Sequence, residues 1–281
     1  MEDTFVVTSA GVKMPKLIYG TAWKKERTAE LVEKAIRCGF RGIDTACQPK
    51  HYDEAGIGAA LVKLNDQGIT RDQLFIQSKF TPADGQDPLR TPYDPTAPLD
   101  EQVRQSFATS QKNLGITTLD SLLLHSPLRQ IKDMMTIWGA MEDLQRKGLV
   151  KQLGISNCYD LTVLKNLHEA ATVKPTVVQN RFYQETTYDK ALRKWCNTQG
   201  IHYQGFWTLT ANPHLLTNTY VKSLAQEFKK TPVQILFRFL IHLKITPLTG
   251  TSSEQHMRED IDIFSFELTQ DQVERLEFAL G

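Results

Sequence analysis

The sequence predicts an α/β fold, a (β/α)8 TIM barrel with a short N-terminal β-hairpin and an extra C-terminal helix. Three observations carry this expectation. Eight short apolar runs alternate with amphipathic stretches of helical period, the pattern of a parallel sheet whose crossovers are helices. The chain has 281 residues, a length at which such barrels stand as one domain, so residues 1–281 are expected to form one. No GxGxxG lies between the first strand and the first helix, so the main mark of the rival open sheet is missing.

Each element follows from local chemistry. Residues 4–7, a turn at Gly11 and a second short run give the hairpin. Strands are expected at 17–19 (closed by Gly20), 42–44, 74–78, 121–124, 150–155, 176–179, 202–206 and 245–248. Thr28 suits the cap of a helix over 29–38, in which Leu31, Val32, Ala35 and Ile36 share a face and Gly39 is the stop. Further helices are expected at 54–64, 99–114, 134–147, 161–171, 188–198, 220–228 and 232–242. Pro232 fits the first turn of the last of these. A final pair, 254–261 and 270–280, follows the eighth strand. Residues 82–98 hold five prolines directly after the third strand, which reads equally as a binding loop over the active face or as a surface excursion.

Composition removes several function classes. Lys and Arg number 33 against 32 Asp and Glu, a net charge of +1, so no electrostatic footprint for nucleic acid or a polybasic membrane contact exists. With 41% apolar residues the chain has material for a core. Cys38, Cys47, Cys158 and Cys196 form no CxxC pair, which points to reduced thiols and a reducing compartment. His51, His214 and His256 lack metal-ligand spacing, and no metal is expected. The N-terminus is not a signal peptide, and the most apolar stretch, 235–243, contains Arg238 and His242. A cytoplasmic protein acting on a small molecule, as a monomer or weak dimer, is the expectation.

In such a barrel the chemistry sits at the C-terminal ends of the strands. Those ends hold Asp44 with Tyr52 in the following loop, then Lys79, His125, Ser156-Asn157, Gln179-Asn180, Phe206-Trp207 and Thr249-Gly250-Thr251. Ionisable and amide groups therefore recur on one rim. A phenol has an ordinary pKa of about 10 and is a weak donor alone. A neighbouring ammonium favours its phenolate, and a carboxylate holds the ammonium in place. A histidine on the same rim can orient a carbonyl oxygen. Such a set suits proton delivery to a carbonyl as a hydride arrives from a cofactor.

Several segments together resemble the aldo-keto reductases. GFRGIDTACQPKHYDEAGIGAAL resembles that family's second strand, catalytic loop and helix, LFIQSKF its lysine strand, and SLLLHSP its histidine strand. LGISNCYDLTVL and VVQNRFY resemble the segments around the nicotinamide, and FSFELTQDQVERLEFAL the closing segment. The resemblance runs from about Thr8 to the C-terminus in family order. It implies Tyr52 as general acid, Lys79 as its pKa-lowering partner, Asp44 as support of Lys79, and His125 as the carbonyl-orienting group. It implies Ser156, Asn157 and Gln179 on the nicotinamide carboxamide. Phe206 takes the place of the usual stacking tyrosine, with Trp207 beside it. Trp23 matches an aromatic wall of the substrate pocket.

Three departures from the family pattern stand out. The first is the loop from Asp44 to Tyr52, which is longer than usual; the second is the segment after the eighth strand, where Gly250 replaces a lysine and His256 falls near the usual arginine. For the dinucleotide's adenosine end the chain offers Thr251, Ser252 and Ser253 before a helix, with His256 or Arg258 for charge. Glu259 and Asp260 suit the adenine amino group. The third departure is a C-terminus at Gly281, without the long tail of some members. The cofactor implied is NADP(H), with NAD(H) admissible, and the activity a carbonyl reductase or alcohol dehydrogenase. The alternative is a cofactor-binding regulatory protein with little turnover.

Overall fold

A computed structural model describes residues 4–280. Strands β1 (Phe5–Val7) and β2 (Lys13–Pro15) form an antiparallel hairpin, with Gly11 at φ +75° in the turn. The barrel strands are β3 (Ile18–Gly20), β4 (Gly42–Asp44), β5 (Phe75–Phe80), β6 (Leu119–Leu124), β7 (Val150–Ser156), β8 (Val177–Arg181), β9 (His202–Phe206) and β10 (Ile245–Thr249). All pair in parallel in the order β10-β3-β4-β5-β6-β7-β8-β9, and the ring closes. The eight expected strands are all present, two with the expected ends and the others with ends moved by at most two residues. Lys79 consequently lies inside β5 rather than after it.

The helices are α1 (Thr28–Arg37), α2 (Glu54–Asp66), α3 (Leu99–Leu114), α4 (Ile131–Arg146), α5 (Leu161–Ala170) and α6 (Lys190–Thr198). They continue with α7 (Pro213–Thr217), α8 (Thr219–Phe228), α9 (Pro232–His242), α10 (Glu254–Ile261) and α11 (Gln270–Leu280). Thr28 is not the cap expected of it. It is the first helical residue, and its hydroxyl donates to the Lys25 carbonyl at 2.7 Å in the 3-10 turn leading into α1. α6 starts two residues late because Thr187, Tyr188 and Asp189 take positive φ. The Asp189 carboxylate is held there by Asn180 Nδ2 at 2.7 Å and Tyr203 OH at 2.9 Å. The short α7 was not legible in the pattern; buried Asn212 fixes its approach by donating to the carbonyls of Phe182 and Thr208.

Two apolar layers result. The larger lies between barrel and helices, with Trp138, Phe237, Phe239 and Leu124 fully buried. The smaller fills the lower barrel with Val12, Met14, Ile18, Phe75, Leu123, Val177 and Leu248, so the hairpin acts as the barrel floor. Gly154 is required there: a Cβ would stand 2.4 Å from the Val177 carbonyl oxygen. Above the floor the interior turns polar. Met14 Sδ accepts from Gln204 Nε2 at 3.2 Å, and Gln204 Oε1 accepts from Gln77 and Gln179.

The proline-rich segment packs beneath the rim. Tyr93 is buried and donates to the Thr81 carbonyl at 2.7 Å, while Gln86 Nε2 donates to the Cys47 carbonyl at 2.9 Å. Cys47 itself is packing: it donates to the Ser106 carbonyl, and burial pushes its thiol pKa up to about 12.

His202, near the floor, bonds Thr246 Oγ1 through Nε2 at 2.8 Å, and burial followed by the Lys16 charge lowers its pKa to about 4. The unfolded chain takes up this proton near pH 6.5 and the folded chain does not, so stability present above that pH is lost down to about pH 4. The loss attributable to His202 is bounded by about 3 kcal/mol. Urea unfolding at pH 7.5 and 4.5 should show a wild-type loss larger than that of His202→Gln by about 2 kcal/mol. Asp260, whose raised pKa acts with opposite sign, is common to both proteins. Equal losses would remove His202 as the cause.

Candidate active site

Alternation along the strands decides what faces the barrel axis. On β5 the inward column is Phe75, Gln77, Lys79, and on β8 it is Val177, Gln179, Arg181. Registers Asp44↔Gln77 and Gln179↔Gln204 set Gln77 beside Asp44 and Gln179 beside Gln204. There Asp44 Oδ1 accepts from Gln77 Nε2 at 2.8 Å and Gln179 Nε2 at 2.9 Å.

One level higher sits Lys79, 1% exposed. Its ammonium donates to both Asp44 oxygens at 2.7 Å and to the Thr45 carbonyl at 2.8 Å. Three protons meet three acceptors, so the ammonium is fixed and fully spent. Burial lowers the Lys79 pKa, and Asp44 acts against that.

Tyr52 arrives from the β4–α2 loop, whose path is set by Tyr52 N and His51 N donating to the Gln48 carbonyl at 3.0 Å. Asp53 then caps α2, accepting from Gly56 N at 2.9 Å. Lys79 Nζ lies 5.4 Å from the Tyr52 ring centroid, and His125 faces that ring with centroids 6.1 Å apart. The expected lowering of the Tyr52 pKa is not what the structure gives. Burial raises it, and the Asp44 charge adds to the rise. The Lys79 ammonium near the ring favours a phenolate, but the Asp44 carboxylate bound to it offsets this. The phenol therefore stays protonated.

His125 is also neutral, with its pKa well below 6.5 from burial and then the Lys79 charge. Its Nδ1 bonds Thr81 Oγ1 at 2.6 Å, which leaves Nε2 without a protein partner among the described residues. Two uncharged donors, a phenol and an imidazole, thus face one space.

That space is a cavity of about 670 Å³ over the C-terminal mouth of the barrel. Trp23, Asp44, Tyr52, His125, Ser156, Asn157, Gln179, Phe206, Trp207, Gly250, Thr251 and His256 all line it. Trp23, Asn157 and Trp207 hold φ of +64°, +53° and +55°, backbone strain concentrated at this rim. Ser156 Oγ donates to the Gln179 carbonyl at 2.7 Å, and Asn157 Nδ2 to the His125 carbonyl at 2.9 Å. Trp23 stacks on His51 with centroids 4.0 Å apart.

The remaining expected residues are divided. Ser253 caps α10, accepting from His256 N at 3.4 Å, and Ser252 is exposed before it. Arg258 pairs with Glu254 at 2.7 Å and borders a different surface depression beside Gly39 and Ile261. Asp260 is buried, accepting from Thr249 Oγ1 at 2.8 Å, and Glu259 Oε1 accepts from Gln255 at 2.8 Å. No residue of the proline-rich segment lines the cavity; the segment supports it through Gln48 Nε2, which donates to the Gly85 carbonyl at 2.7 Å. Sequence reasoning missed Lys24, Gln48 and Arg181. The period-2 alternation beyond Gln179 carried the signal for Arg181.

Comparison with known proteins gives consistent similarities. The sequence profile described as "Aldo/keto reductase family" matches residues 16–280. The chain is 32% identical over 272 residues to the uncharacterized oxidoreductase YtbE of Bacillus subtilis (strain 168), covering 95% of this chain and 89% of that one. It is 30% identical to a glyoxal reductase of the same organism, covering 99% and 92%. A crystal structure of an aldo/keto reductase from Brucella melitensis superposes with a TM-score of 0.83 at 26% identity, covering 99% of both chains.

The buried pair makes a stability prediction. Lys79→Met leaves the Asp44 carboxylate charged and unpaired, and should cost about 3–5 kcal/mol in urea unfolding. Combining it with Asp44→Asn should cost less than the sum of the two single changes, by on the order of 1–3 kcal/mol. Strict additivity would show that the pair is not coupled.

Proposed function

The chain belongs to the aldo/keto reductase family, and we propose that it reduces an aldehyde or ketone to the alcohol with NADPH, Tyr52 delivering the proton. The observation that carries this reading is the coincidence in one cavity of a fixed Asp44–Lys79 pair, a protonated Tyr52 and a neutral His125.

The residues present fit a nicotinamide dinucleotide. Ser156, Asn157 and Gln179 offer hydroxyl and amide groups matched to a carboxamide, and Phe206 beside them offers an aromatic face. When bound, the cofactor supplies a hydride to the carbonyl carbon. His125 Nε2 orients the carbonyl oxygen by hydrogen bonding, and Tyr52 OH transfers its proton to that oxygen. The phenolate left behind is held by the Lys79 ammonium below it, which Asp44 and the Thr45 carbonyl prevent from swinging away. Trp23 and His51 wall the approach.

Substrates are small polarised carbonyl compounds in this reading. Support comes from the likeness to a glyoxal reductase.

NADPH is favoured over NADH, with modest discrimination. His256 and Thr251 border the cavity beside the start of α10, where amides and hydroxyls suit a phosphate. Arg258, tied to Glu254 and turned elsewhere, is not expected to contribute. In a fluorescence titration at fixed ionic strength, His256→Ala should weaken NADPH several-fold and leave NADH unchanged. Equal or tighter binding of NADH by the native protein would refute the preference.

Tyr52→Phe should lower kcat by about 10²–10⁴ while dinucleotide affinity stays nearly unchanged. Because the native phenol stays protonated, kcat/KM for reduction should also lack an alkaline fall between pH 7 and 9. Near-normal turnover by Tyr52→Phe would move the acid to His125 or His51.

A further inference from the structure

Arg181 is the last residue of β8 and points into the catalytic cavity, one inward position above Gln179. Its guanidinium accounts for itself poorly as a structural group. Among the described residues its side chain makes no hydrogen bond and no ion pair, and its Nε is buried without a partner. Other partly buried arginines differ: Arg71 pairs with Asp120 at 2.7 Å, Arg41 donates to the Phe40 carbonyl at 2.8 Å, and Arg193 to the Tyr188 carbonyl at 2.8 Å.

What Arg181 does have is two aromatic neighbours. Its Cζ stands 4.3 Å from the Trp207 ring centroid and 5.2 Å from that of Tyr183. Tyr159 OH accepts from the Arg181 backbone N–H at 3.1 Å, so the strand end is also held. A cation held over aromatic rings is attracted by their faces while its N–H groups remain unspent. Trp207 adopts φ +55° in this arrangement, a strained backbone kept at the cavity wall.

The local charge is uncompensated. The cavity's carboxylate, Asp44, is consumed by Lys79. The other cation on the wall, Lys24, donates its ammonium to the Gly250 carbonyl. A partly desolvated guanidinium fork in a cavity with no free carboxylate among the described residues is complementary to a planar or tetrahedral oxyanion.

We propose that Arg181 is the oxyanion-binding residue of this cavity, taking a carboxylate or phosphate group in its unspent fork. Two sources share that chemistry: a carboxylate carried by the carbonyl substrate, and the diphosphate of the dinucleotide. The inference rests on the reading of the cavity as a carbonyl-reduction site for the choice between them, but not for anion binding itself.

The test compares native protein with Arg181→Met and Arg181→Lys. Tryptophan fluorescence is titrated with 4-carboxybenzoate, with inorganic pyrophosphate, and with NADPH and NADH. Steady-state reduction is measured with 4-carboxybenzaldehyde and the uncharged 4-nitrobenzaldehyde. One charge-assisted contact corresponds to a change of about 10- to 100-fold. A substrate carboxylate predicts that Arg181→Met raises KM for 4-carboxybenzaldehyde and weakens 4-carboxybenzoate by this factor, with 4-nitrobenzaldehyde and both dinucleotides unaffected. A cofactor diphosphate predicts equal weakening of NADPH, NADH and pyrophosphate, with both aldehydes unaffected at saturating cofactor.

Arg181→Lys keeps the charge and loses the fork, so it should fall between native and Arg181→Met, and it serves alone if Arg181→Met does not fold. Native-like affinities in the variants for every anion would overturn the proposal. If the native protein turns over neither aldehyde, the functional reading fails, while the 4-carboxybenzoate and pyrophosphate titrations still decide the role of Arg181.

Discussion

The Asp44–Lys79 ion pair sets the geometry on which the upper barrel depends. Both side chains are almost wholly buried, and each is expensive to remove from water alone. Their mutual attraction repays that cost only because each also satisfies its remaining hydrogen-bonding capacity. Lys79 donates to the Thr45 carbonyl, and Asp44 accepts from Gln77 and Gln179. The glutamines connect through Gln204 to Met14 and the hairpin floor. A continuous chain of hydrogen-bonded side chains therefore joins the floor to the charged pair.

This constraint also explains the protonation states above the pair. An ammonium with three filled acceptors has no proton to share with Tyr52, so it can act on the phenol only through space. Asp44 sits beside it and offsets that field, and burial then dominates, holding Tyr52 protonated. The same burial, with the Lys79 charge, keeps His125 uncharged. Beside the buried pair the cavity thus presents two uncharged donors, Tyr52 and His125. In the proposed reaction a phenolate needs stabilising only after the proton has left, where a preorganised cation costs no reorganisation.

Around this centre the loops differ in what they do. The proline-rich segment, placed by its sequence directly after the third barrel strand, supports the β4–α2 loop from behind through Gln86 and the Gly85 carbonyl, and the end of β5 through Tyr93. The loop after β9 instead supplies wall, with Trp207, Thr208, Leu209 and Thr210 all lining the cavity. Both follow strands at the same face, and only packing distinguishes a support from a lining.

The sequence by itself determined the eightfold alternation, the hairpin, and the rim on which Asp44, Tyr52, Lys79 and His125 lie. Those follow from periodicity and from strand-end position, which are local properties. The helices over 99–114, 232–242 and 254–261 were legible to the residue because a Gly stop, a Pro start or a Ser cap marked an end. Tertiary structure decided the rest. The late start of α6 depends on Asp189 meeting Asn180 and Tyr203, residues brought close by β8 and β9. The separation of His256 from Arg258 depends on which side of α10 meets the cavity and which meets Gly39. The raised pKa of Tyr52 depends on summed burial and two opposing charges, a balance fixed by distances in space and invisible in the spacing of residues along the chain.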